Sequence, residues 1–241
     1  MDVLLMVLAA AYGAVAGMSV SRARYRLSVE PEEPWRSAGP CGHPVAGWLG
    51  RPRCGICGAR YGPGALWPAA MAALGCAALA WAVGARPELA VWLVAAPVGV
   101  LLAGVDRSVR RLPDVLTLPL AAGTAGLLGA AALIPGAGGS WPGALLGGLT
   151  LGGGYLALFL VRPDGMGLGD AKLAVGLGCA LGWYGWPVLL LGAFAGLLLG
   201  SLYGTALLVT RRAGRGTALA FGPFMIVGAW LGVLLGGVAG T

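Results

Sequence analysis

Four aspartates, Asp106, Asp114, Asp164 and Asp170, interrupt an otherwise apolar stretch of this chain at points where a carboxylate is expensive. Asp170 stands in "GMGLGDAKL" (165–173), behind Gly165, Gly167 and Gly169 and two places before Lys172. Three alternate positions without side chains permit close backbone approach and unusual dihedrals, so an extended strand of substrate could lie against this stretch. Asp106 stands in "DRSVRRLPDVLTLPL" (106–120), eight positions before Asp114, which follows Pro113. Two carboxylates that share a site cannot both ionise comfortably, which leaves one proton between two acids. Such a pair can activate water with one member and protonate a carbonyl oxygen with the other. A bland reading stands beside this one. Asp170 also suits the positive end of a helix dipole, Asp114 suits a helix cap, and Asp164, in "RPDGMG", suits a solvated turn. Lys172 reads either as the counter-ion of a nearby acid or as an interfacial lysine reaching for water.

A second set of chemistry-bearing residues is Cys41, His43, Cys54 and Cys57, in "CGH" and "CGIC". Three thiolates and an imidazole are the usual tetrahedral ligands of zinc. The single-residue spacing between Cys41 and His43 is tighter than usual, so a metal-free insert is the competing reading. Cys76 and Cys179 lie inside apolar runs and read as small packing residues.

The elements that must position these groups are membrane helices. Of 241 residues, 58% are hydrophobic and 10% charged, a balance no ordinary soluble domain shows. A span needs about 20 apolar residues, and eight such runs are expected, at about 3–20, 66–85, 89–105, 115–134, 142–161, 171–186, 187–210 and 218–238. The expected fold is all-α, a polytopic transmembrane bundle divided into a first span (1–20), a small insert (21–65) carrying the Cys/His set, and a transmembrane core (66–241). The first apolar run is read as a retained span, because its positive charges follow it and Asp2 precedes it.

With the N-terminus outside, eight crossings put 15 of the 16 basic residues in inner loops, leaving only Arg86 outside beside Glu88. The net charge of +7 is therefore a matter of topology and gives no reason to expect nucleic acid. Between Asp106 and Asp170 the chain crosses twice, which returns both acids to one side. Asp2, Glu30, Glu32, Glu33 and Glu88 are expected in solvated ends or loops, and "WYGW" (183–186) with Trp141 in the outer aromatic belt. Glycines recur every fourth position at 192, 196, 200 and 204 and at 228, 232, 236 and 240, which predicts close packing of the last two spans. A homo-oligomer face is the alternative use of such a stripe.

At these residues the sequence resembles the type IV prepilin peptidases, integral-membrane aspartic proteases of the glycine-any-glycine-aspartate class. "GMGLGDAKL" is similar to the family's second catalytic motif and "DRSVRRLPDVLTLPL" to its first, which implies Asp170 and Asp106 as the catalytic acids. "FGPFM" (221–225) is similar to a phrase of the family's last span. The resemblance implies prepilin or pseudopilin substrates, cleaved at the cytoplasmic face of the bacterial inner membrane with no cofactor for proteolysis. It also implies S-adenosylmethionine in those members that methylate the new N-terminus. The insert departs from the longer members, which carry two Cys-x-x-Cys pairs, and that departure bears on methylation. Two other classes compete: a small transporter whose acids relay protons or bind cations, and a non-catalytic pilus-assembly scaffold. The acids cluster at one edge, away from the midplane where a transporter site belongs.

Overall fold

The computed structural model describes residues 3–30, 33–62, 64–162, 167–211 and 219–240. Among these residues the chain forms nine helices and no strand. They are α1 (Val3–Ser19), α2 (Ser21–Leu27), α3 (Leu66–Val83), α4 (Glu88–Val109), α5 (Asp114–Ala132), α6 (Trp141–Val161), α7 (Leu168–Gly182), α8 (Trp186–Val209) and α9 (Gly222–Ala239). Seven segments, counting α1 and α2 as one, are long and apolar enough to cross a membrane. The one expected run outside these seven, the sixth (171–186), is α7, which starts three residues before its expected bound and stops at Gly182. Its 15 residues make a helix only about 22 Å long, against roughly 30 Å of hydrocarbon. The environment explains how it can be short: α7 packs on α5, α6, α8 and α9, so protein, rather than lipid, surrounds it.

These helices have no polar face to turn outward, because lipid is as apolar as the interior. Residue size separates their faces instead. In α8 the buried positions include Gly192, Gly196 and Gly200, while Leu190, Leu191, Leu197 and Leu198 are exposed. The expected pairing of the last two spans is observed. A Cβ at Gly196 would meet the Phe224 carbonyl oxygen at 3.1 Å, and one at Gly228 would meet the Gly192 oxygen at 2.5 Å. The register is not uniform, since Gly236 lies against Tyr184 and Gly240 against Arg86. Backbone-to-backbone seams also join α1 to α3 at Gly13 and Gly17, and α6 to α7 at Gly143, Gly147, Gly178 and Gly182.

Two expectations about the far end of the bundle are corrected. Glu88, placed by sequence in a solvated end, is fully enclosed at 0% exposure. Its two carboxylate oxygens accept the Gly138 N–H at 3.1 and 3.2 Å. Arg86 lies beside it at 3.6 Å and donates to the carbonyls of Val83 and Gly237. The ion pair thus ties the α3–α4 turn to the α5–α6 loop and the end of α9. Removing one partner of a buried pair leaves the other uncompensated, at about 3 kcal/mol or more. Glu88→Ala is therefore expected to lower the thermal midpoint in detergent sharply, and Glu88→Gln, which keeps an acceptor for Gly138, by less; intrinsic tryptophan fluorescence reads both.

Trp183 is the second correction. It is 1% exposed, its carbonyl accepts the Ser140 N–H at 2.9 Å, and Gly139 packs on its ring. Because α7 is short, its end lies inside protein, and the belt role falls to the exposed Trp141 and Trp186.

Candidate active site

Asp106 lies in the last turn of α4 and Asp170 in the first turn of α7. The α4 helix ends where Arg110 enters the left-handed region (φ 52) and donates its N–H to the Asp106 carbonyl at 2.7 Å. The chain then extends through Leu112 and Pro113 into α5. Asp106 is buried, at 4% exposure, and its Oδ2 accepts the Gly222 N–H at 2.9 Å. Gly222 opens α9, so the carboxylate sits at the positive end of an 18-residue helix. A Cβ at 222 would stand 2.8 Å from that same oxygen, and Pro223 next to it has no N–H to leave unsatisfied.

Asp170 closes the start of α7 in the manner of an N3 acid, its Oδ2 accepting the Gly167 N–H at 3.2 Å. The helix-terminus reading is thus met, and it is compatible with the paired-acid reading. Asp170 is within Coulombic reach of both Asp106 and the Tyr155 hydroxyl. Leu112 joins the two halves: a Cβ at Gly169 would meet the Leu112 Cβ at 2.9 Å, and one at Gly222 would meet its Cδ1 at 3.4 Å. Tyr155 of α6 and Phe221, with ring centroids 6.3 Å apart, belong to the same apolar cluster as Leu112 and Ala171. Two partly hydrogen-bonded carboxyls in an apolar wall form an arrangement that can orient one water between them.

The remaining expected positions fall out differently. Gly169 needs to be glycine because Leu112 approaches it, whereas Gly167 has an ordinary extended backbone (φ −82, ψ 147), and a Cβ there would make only ordinary van der Waals contacts, the nearest with Asp170 Oδ2 at 3.5 Å. Gly165 and Asp164 lie outside the described residues. Pro113 takes the N-cap position of α5 in an extended conformation, and Asp114, expected to cap, makes no such bond. It accepts from Lys172 Nζ at 2.6 Å instead, across the partly exposed gap between α5 and α7. Lys172 is thus a counter-ion, and its partner is Asp114, not Asp170. Sequence reading missed Gly222 and Tyr155 as parts of the site. The phrase "FGPFM" was the available signal for Gly222; none marked Tyr155.

At the insert the four expected ligands converge. One ligand atom from each of Cys41, His43, Cys54 and Cys57 lies within 4.8 Å of all the others. Glycines with positive φ follow Cys41 (Gly42, φ 76) and Cys57 (Gly58, φ 71), turning each ligand pair back on itself. Cys54 Sγ lies 3.5 Å from His43 Nδ1 and accepts the Ile56 N–H at 3.4 Å. The backbone N–H groups of Cys57 and Ile56 push the Cys54 thiol down to about 6, so it is a thiolate at neutral pH. Ligands on a tetrahedron of 2.3 Å bonds stand about 3.8 Å apart, and a small contraction of this cluster reaches that geometry. The donor set and its spacing fit zinc. Cys76 and Cys179 are buried among helices, as expected.

The chain is similar to known proteins. The profile of the type IV leader peptidase family matches residues 93–205, a segment that holds both Asp106 and Asp170 and stops short of Gly222. Three bacterial proteins named prepilin leader peptidase/N-methyltransferase are similar to the chain. The one from Pseudomonas putida is 34% identical over 210 residues, 77% of this chain and 66% of its own length. That from Pseudomonas aeruginosa is 30% identical over 231 residues, 85% of this chain and 76% of its own. That from Burkholderia pseudomallei is 34% identical over 244 residues, 90% and 71%. The chain thus spans about two thirds to three quarters of these relatives. No solved structure matches. With likeness running through the helices that carry both acids and across most of the chain, the protein belongs to the type IV leader peptidase family.

Proposed function

We propose that this chain is a membrane aspartic endopeptidase that removes the leader peptide of type IV prepilins or pseudopilins, with Asp106 and Asp170 as its catalytic pair. The observation that carries this reading is that two acids from separate motifs lie within electrostatic range of each other on either side of Leu112, each accepting a backbone N–H. In the step proposed, the ionised carboxylate takes a proton from water as the water oxygen bonds to the peptide carbonyl carbon. The protonated partner gives its proton to the carbonyl oxygen. Collapse of the tetrahedral intermediate breaks the C–N bond, and the leaving nitrogen takes a proton from the pair. Gly222 positions Asp106, and Leu112 sets the spacing between the α4 and α7 ends. Co-expression with a prepilin-like precursor, followed by immunoblotting for loss of the leader, tests the reading.

The cytoplasmic leaflet of the bacterial inner membrane is the proposed place of cleavage. The positive-inside rule supports it, because the arginine-rich insert packs on the end of α4 that bears Asp106: Arg24 donates to the Gly104 carbonyl at 3.2 Å. Methylation of the new N-terminus by S-adenosylmethionine is proposed from the relatives' names, and no described residue is assigned to it; a product mass greater by one methyl group tests it.

Zinc is proposed for Cys41, His43, Cys54 and Cys57, as a structural ion that would hold the insert's small core of Tyr25, Val45 and Tyr61. Purified parent protein is expected to carry about one zinc per chain. Cys54→Ser should lose nearly all of it by elemental analysis, while leader cleavage falls far less than in either aspartate variant.

A further inference from the structure

We propose that the cavity between α3, α4 and α9 is a binding site for one anionic phospholipid, its acyl chains between the helices and its phosphate among the arginines at the mouth. The cavity has a volume of about 1500 Å³, more than the roughly 300–1,000 Å³ of an ordinary small-molecule pocket. Its deep walls are apolar, with Leu79, Trp92, Ala96 and Val233 at the far end. From Trp92 to Gly104 along α4 is about 18 Å at 1.5 Å per residue, close to the roughly 15 Å of one hydrocarbon leaflet. The depth suits an acyl chain.

The mouth carries five cations, Arg24, Arg51, Arg53, Arg60 and Arg107, and among the described residues no Asp or Glu lines the cavity. The two ion pairs among the described residues, Arg86 with Glu88 and Lys172 with Asp114, involve none of the five. Guanidinium groups bind phosphate oxygens in pairs of parallel hydrogen bonds, and the inner leaflet is where anionic lipid meets clustered arginine. A free phosphate would satisfy the mouth and leave the apolar depth empty. Any positively charged peptide segment would be repelled at the same mouth. Moreover, neither Asp106 nor Asp170 lines the cavity, so a segment lying there is not presented to the acids. Lipid in this space fills the gap between α4, which carries Asp106, and α9, which carries Gly222.

The proposal stands apart from the peptidase reading, because binding is read directly. The full chain, stripped of lipid in neutral detergent, is titrated with phosphatidylglycerol or phosphatidylcholine of identical acyl chains and observed by native mass spectrometry. One phosphatidylglycerol per chain is expected, held about tenfold or more tightly than phosphatidylcholine. The Arg53→Gln/Arg60→Gln pair should bring the two lipids to equal, weak retention, and Ala96→Trp, which fills the cavity, should remove both at a parental melting temperature. Equal retention of the two lipids by the parent would overturn the proposal whatever the variants do. So would displacement of bound phosphatidylglycerol by inorganic phosphate alone, or disulfide capture of the prepilin helix by a cysteine placed through Ala96→Cys.

Discussion

Asp106→Asn and Asp170→Asn are each expected to reduce leader cleavage by about a thousandfold or more, with the chain still inserted and at parental abundance. Asparagine keeps the size and one carbonyl acceptor of aspartate, so the bonds from Gly222 to position 106 and from Gly167 to position 170 remain possible. What is lost is the proton traffic: an amide neither takes a proton from water nor gives one to a carbonyl oxygen at neutral pH. Two acids acting as one unit are not additive, so the double variant should be no worse than either single one. Asp114→Asn is the internal control. It removes only the partly exposed pair with Lys172, worth at most about 1 kcal/mol, and cleavage should stay within about tenfold of the parent. Full activity in either the Asp106 or the Asp170 variant would sink the assignment, and loss in Asp114→Asn alone would move the first acid. Acid-dependent ion flux in proteoliposomes without cleavage would favour a transporter.

Sequence alone reached the apolar runs, because hydropathy at span length follows from bilayer thickness. It also singled out both acids and the Cys/His set, because their cost or their spacing sets them apart. It did not reach what depends on contacts distant in the chain. Glu88 looked solvated because it borders a turn, yet its partner Gly138 comes from another loop. Asp114 looked like a cap because it follows Pro113, and Lys172 claimed it from α7. The role of Gly222 is invisible locally, since its value is a backbone N–H delivered to an acid on a different helix. Trp183 shows the same limit: an aromatic at a helix end suggests a water interface only if that end reaches one, and α7 stops inside the bundle.

The stripe of glycines at 192 to 204 and 228 to 240 is the longest in the sequence, but the seam that holds the helix carrying Asp170 is the shorter one between α6 and α7. Cβ atoms at Gly147 and Gly178 would each be driven into the opposite backbone, against the Gly178 carbonyl oxygen in one direction and the Gly147 oxygen in the other. Gly182 stands against the Gly143 oxygen and Gly147 in the same way. Since lipid supplies no hydrophobic drive, such helices are held by van der Waals contact and close approach. A side chain here cannot be absorbed by a rotamer change, because the obstacle is backbone. Gly178→Val is therefore expected to destabilise the fold by about 3 kcal/mol or more, and to abolish cleavage, because α7 carries Asp170 at its other end. Gly153→Val supplies the contrast on the same α6 helix. A Cβ there meets nothing within 4 Å, and glycine is among the poorest helix formers, so this change should leave stability within about 1 kcal/mol of the parent and cleavage at the parental level. Equal tolerance of the two substitutions, read by melting in detergent and by leader removal, would mean that α7 is not held by that seam and that something other than α6 fixes the depth of Asp170.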